Sequence, residues 1–246
     1  GNVDLSNTST APATAASITT GTGSILLAQV GGGSLTVTNA TTINGNVTLT
    51  TTGSGDVSVG DVSAVSGTVS VTSAGAINES GVDAGADLTA GTLGLIAASG
   101  IGLTGAVESA ATAITASSTT GNVSLANTSV TALTVPTITT GTGDLTLTQS
   151  GSGSLTLTTA TTIVGHISIS VSGGNLQATT ARAGGFGKNV TLTTTTSGDI
   201  SVSDARAIGD TVTLTAAGAI NELGADASND VTGAILNLSA GTGIGA

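Results

Sequence analysis

The motif glycine-x-apolar-x-apolar returns along this chain about every 22 residues, and the rhythm restricts the chain to stacked, similar turns. The pairs are Val3/Leu5, Ile25/Leu27, Val47/Leu49, Val69/Val71 and Leu93/Leu95, then Val123/Leu125, Leu145/Leu147, Ile167/Ile169, Val190/Leu192, Val212/Leu214 and Leu236/Leu238. The steps are 22, 22, 22 and 24, then 30, then 22, 22, 23, 22 and 24 residues. About ten residues later comes a second set, including Leu35/Val37, Val57/Val59, Leu133/Val135, Leu155/Leu157 and Ile200/Val202. A third, weaker apolar position closes several turns, as at Ile18, Ile43, Ile114, Ile138 and Ile163. Residues i and i+2 of a strand share a face, so each pair points inward and the residue between them points out. Gly, Asn and Asp fall between the strands, where corners need their backbone freedom. The pattern predicts an all-β chain, a parallel β-helix (β-solenoid) of about eleven turns of roughly 22 residues. Right-handed winding follows from the chirality of parallel crossovers.

A larger repeat lies over this one. GNVDLSNTS at Gly1 returns as GNVSLANTS at Gly121, and GTVSVTSAGAINES (67–80) returns as DTVTLTAAGAINEL (210–223). Residues 1–120 thus form one unit and residues 121–246 a second within one continuous solenoid. The offset between units is 120 up to Gly45/Gly165 and 143 from Asn46/Asn189, so the second unit carries an extra turn at about 165–187. A solenoid absorbs a whole turn without disturbing its neighbours. The stretch 104–120, TGAVESAATAITASSTT, lengthens one turn; AVESAATAIT fits a short helix or a bulging loop, and the loop is expected.

Composition narrows the function. One Phe is the only aromatic residue, and Cys and Met are absent. A large aromatic core is therefore excluded, while a narrow Val/Ile/Leu/Ala core is not. Regular β-branched alternation and only two prolines argue against a disordered linker. The net charge of −11, with three Lys and Arg in all, excludes the positive footprint that nucleic acid requires. No apolar run has the length of a membrane span. No disulfide or thiol chemistry is available without Cys. The sequence starts and stops within the pattern, as an excised piece of a longer chain would.

The motifs GNVxL, GSLTV/GSLTL, GDVSV/GDISV, the AGAINE step and the closing LxLxAxxGIG resemble the repeats of filamentous-haemagglutinin-like bacterial exoproteins, very large adhesins. The resemblance covers the whole chain, and its motifs are structural. It implies a right-handed parallel β-helix displayed outside the cell at the bacterial surface, acting in adhesion or cell–cell contact, with other cells or surface glycans and proteins as partners. The turn of about 22 residues is longer than that family's usual turn.

The residues that carry chemistry are few. The single histidine, His166, takes a corner place held elsewhere by Asn2, Asn46, Asn122 and Asn189, which points to an exposed corner residue. With one His and no Cys, neither a zinc site nor a nucleophile–base pair can be assembled. Some β-helices process carbohydrate through paired acids. Here Asp56/Asp61 recur as Asp199/Asp204, Asp83 as Asp226 and Asp87 as Asp230, which suggests repeated corners and not one catalytic pair. Three bases are also too few to stabilise an enolate. The chain is therefore expected not to be an enzyme, and no cofactor is expected. GSGDVSVGD (53–61) loosely resembles calcium-binding turns, without their spacing, so adventitious calcium is the most it suggests.

Two surface features remain. Outward Thr146/Thr148, Ser168/Ser170, Thr191/Thr193 and Thr213/Thr215 make a ladder on four turns, like the ice-binding face of antifreeze solenoids. Thr also simply favours strands, and Asp4, Leu26 and Ala28 are expected to break the array in the first unit. His166, Arg182, Phe186 and Lys188 gather in or beside the extra turn as a candidate contact patch, with Phe186 at a loop tip. The expectation is a structural rod segment of a secreted or surface adhesin. The alternatives are ice or flat-surface binding through the Thr/Ser ladders, and a carbohydrate-binding or -processing β-helix. Strand edges at cut turns would favour end-to-end self-association.

Overall fold

The computed structural model describes residues 1–81, 83, 85–225 and 227–245. They form a right-handed parallel β-helix of about 11 turns with no helix among them. At a strand spacing of about 4.8 Å the stack is about 50 Å long. The core is the inward column that the alternation dictates. Ile25 lies over Val47, Val47 over Val69 and Val69 over Leu93, each fully buried. Each layer is narrow, so aliphatic side chains of similar size fill it without aromatic rings.

A turn of the first unit has three sides. Ile25–Gln29 makes the first, and the bent strand Leu35–Thr42 makes the second and third. Leu35 and Val37 point inward on the second side, and Ala40 and Thr42 on the third. The corners are tied by buried hydroxyls. Thr51 Oγ1 donates to the Gly55 carbonyl at 2.5 Å, Thr42 Oγ1 to Gly23 at 2.8 Å, and Thr194 Oγ1 to Gly198 at 2.8 Å. These inward Thr side chains donate to corner carbonyls, of which Gly55 and Gly198 also accept an amide of the next turn.

The extra turn enters in register. Leu145 pairs with Ile167, and Ile167 with Val190, so the strand Ile167–Val171 sits between its neighbours as one more layer.

The stretch expected as a loop is instead the strand Val107–Thr120. Val107, Ser109, Ala111, Ile114, Ala116 and Ser118 all face the core. Its periodicity is that of a strand bent around a corner, and its small residues fit a crowded interior. This strand also changes what stacks on what. Val123 lies over Ile101 on the second side, not over Leu93 on the first. Ile138 lies over Ala116, which lies over Leu95 on the first side. The second unit is therefore rotated by one side relative to the first. The step of 30 residues from Leu93 to Val123 is one turn of 22 plus eight, about one side more.

Two local features absorb the rotation. Between Ala113/Thr134 and Thr115/Thr137 the register shifts, so Val135 and Pro136 oppose Ile114 alone. This is a β-bulge, and the exposed Pro136 occupies a place that needs no ladder donor. Inside, Asn127 is fully buried; its Nδ2 donates to Gln149 Oε1 at 2.7 Å and its Oδ1 accepts from Ser109 Oγ and the Ala111 amide, both at 2.9 Å. A satisfied polar network of this kind fixes register where aliphatic columns alone would slide.

Candidate functional site

The outward Thr/Ser ladder is in register throughout. Thr146 pairs with Ser168, Ser168 with Thr191 and Thr191 with Thr213, while Thr148, Ser170, Thr193 and Thr215 form the adjacent row. The rotation alters its continuation. Asp4, Leu26 and Ala28 lie on the first side and do not interrupt this array. It continues backward from Ser124 along the second side, past Gly102, through Asn78, Ser58, Thr36 and Thr14. The side that begins with Asp4 and Leu26 has its own hydroxyl pairs at Thr48/Thr50, Thr115/Ser117, Thr137/Thr139 and Thr159/Thr161. Two sides of the rod are thus flat and rich in hydroxyl groups.

His166 belongs to a corner ladder. The Asn122 side chain accepts the Asp144 amide, Asp144 Oδ1 accepts the His166 amide at 2.9 Å, and His166 Nδ1 accepts the Asn189 amide at 3.1 Å. The Asn189 side chain then takes the Thr211 amide. His166 is half-buried and not fully exposed, and its ring nitrogen replaces the Asn oxygen. Asp56 and Asp199 serve alike: each accepts an amide of the next turn, Ala76 or Ala219, at 2.7 Å. Asp61 accepts from Asn39 Nδ2 at 3.2 Å. The acids of the calcium-like stretch therefore have structural partners. Asp226 lies outside the described residues.

The expected patch does not converge on one point. Phe186 is 94% exposed at its loop tip, and Lys188 is half-buried beside Gly185. Arg182 is on the preceding strand, ion-paired with Asp204. Arg182 stands in register with Arg206 on the next turn. Sequence reasoning did not select Arg206, although the tripeptide Ala-Arg-Ala occurs twice, at 181–183 and 205–207, one turn apart.

No family model, curated protein or solved structure matches the chain.

A second group missed in the sequence is acidic. The carboxylates of Glu79, Asp87 and Glu108 come within 4.8 Å of one another, Glu79 and Asp87 from one turn and Glu108 from the next. Among the described residues this is the one group with the spacing of a metal-binding set, and its all-oxygen character would suit a hard cation. Asp87 is buried, and its carboxyl is pushed up to about 7, chiefly by loss of water and further by Glu79 and Glu108; the Glu108 amide, donating at 3.1 Å, opposes the rise. Glu108 Oε2 is enclosed without a donor. Glu108 has no counterpart in the other unit because it lies in the stretch that rotates the stack. No helix among the described residues is long and apolar enough to cross a membrane.

Proposed function

We propose that the chain is a rod segment of a large bacterial surface or secreted adhesin of the filamentous-haemagglutinin-like kind, holding cells to other cells or to surfaces. The observation that supports this reading is the hydroxyl-rich columns on two sides, which stay in register over several successive turns, Thr146 to Thr213 on one and Thr115 to Thr159 on the other. A flat, repeated surface suits many weak contacts, whose effects multiply when they act together. Beads coated with the 246-residue chain should hold to bacterial or host cells more than albumin-coated beads do. Equal retention would overturn the adhesive reading.

A second reading rests on the register of the Thr columns. Rows of hydroxyls and methyls at the strand spacing could bind ice or another crystalline face. Thermal hysteresis above that of an equal mass of albumin, lost on changing Thr191 and Thr193 to Lys, is the expected result. No hysteresis would remove this reading and leave the first in place.

A further inference from the structure

The chain has three cations against fourteen acids, yet it places both of its arginines side by side. Like charges directly across neighbouring strands destabilise a sheet. Asp204 relieves Arg182 through their ion pair. Arg206 has no such relief: it is half-buried, makes no ion pair or side-chain hydrogen bond among the described residues, and its Nε is enclosed without an acceptor. A buried donor left unmade costs free energy unless something fills the gap. The two arginines open on a cavity of about 460 Å³, lined also by Asp204, Ser203, Asn229 and Thr232. Its wall is mainly polar and has both donors and acceptors.

We propose that this cavity binds the carboxylate of a single acidic sugar unit, a hexuronate. Guanidinium groups bind carboxylates through paired, charge-assisted hydrogen bonds. Among the described residues that line it, two guanidiniums and the Asp204 carboxylate leave one positive charge, which a monoanion balances and a dianion exceeds. The overall charge of −11 repels a densely charged polymer, so the match is to an isolated carboxylate on an otherwise neutral glycan. Ser203, Asn229 and Thr232 provide partners for ring hydroxyls, and Asp204 is an acceptor for one of them. The column that ends here runs through Thr139, Thr161, Arg182, Arg206 and Thr232 in register, so neighbouring sugar units would lie on hydroxyls. This inference does not depend on the adhesive reading. Cells could ignore the rod while the cavity still takes the sugar, and the reverse.

The test uses the fact that both arginines of the chain line the cavity, so two Nε–H signals report on it directly. Titrating the 246-residue protein with sodium glucuronate at constant ionic strength should shift the Arg206 signal saturably, and glucose should not. Arg206→Gln should weaken glucuronate binding at least about tenfold, the loss expected for one charge-assisted hydrogen bond. Its thermal midpoint should not fall, because a like-charge contact is removed. Thr232→Val retains both charges and should weaken glucuronate binding while leaving any acetate-induced shift unchanged. The proposal is overturned if glucuronate moves neither signal, or if acetate or inorganic phosphate binds as tightly. It is equally overturned if both variants keep the parent affinity.

Discussion

At Gly121 the chain has no room for a side chain. Its φ is +77°, and a β-carbon there would collide with the Ser99 carbonyl oxygen of the turn below. Both the left-handed backbone and the close approach of turns require glycine. Gly121→Ala should cost about 3 kcal/mol in urea unfolding, from backbone strain and displacement of the neighbouring turn. Asp87 gives a second residue-scale prediction. Its folded carboxyl titrates near 7, well above the ordinary value of 3.8, so the folded state holds a proton that the unfolded chain releases. That stabilisation is complete below about pH 4, declines through the interval from 4 to 7, and is gone above it. Thermal midpoints should therefore fall across this range. Asp87→Asn should flatten the decline and stabilise the protein at pH 8 by on the order of 2 kcal/mol. An unchanged pH profile in the variant would place the titration elsewhere.

The strand Val107–Thr120 is the element on which the two units depend. Ile114 is fully buried at its bend, opposite the bulge at Val135 and Pro136. Ile114→Ala should cost about 3 kcal/mol in chemical denaturation, since the inflexible corner cannot close the gap. A loss below about 1 kcal/mol would mean that the junction is loosely packed. The strands, their inward pairs and the 22-residue turn were legible in the sequence because alternation and period record them directly. The rotation was not. Every side carries the same alternation of apolar and hydroxyl residues, so the pattern identifies a strand without saying which side it occupies. Like-on-like stacking was the natural inference, and the eight surplus residues read as a loop because Ala and Ser pack a tight interior while looking like surface. The site was legible in part. Arg182 stood out by its rarity, whereas Arg206 needed the recurrence of Ala-Arg-Ala across one turn. The proximity of Glu79, Asp87 and Glu108 depends on a corner of one turn and the stacking of the next upon it, which spacing along the chain does not encode.

For the whole molecule, stability is close to a sum over turns and their interfaces. Removing residues 165–187 should leave a folded solenoid, because the turn they form enters and leaves in register and Leu145 would meet Val190. Small-angle scattering should show the rod shorten by about 5 Å, and circular dichroism should keep its β form. An unfolded product would show that the turns are not interchangeable layers. The same deletion removes Arg182 and should abolish glucuronate binding.

The two kinds of added sequence differ in phase. The extra turn is a whole period, so it lengthens the rod and leaves every direction around the axis unchanged. The surplus in Val107–Thr120 is about a third of a period, so a duplicated unit presents its equivalent faces to a different quarter of its surroundings. Length and heading are thus set separately. A chain grown by successive steps of the second kind would turn like faces through three headings before repeating, and could reach neighbours all around it with a single type of surface.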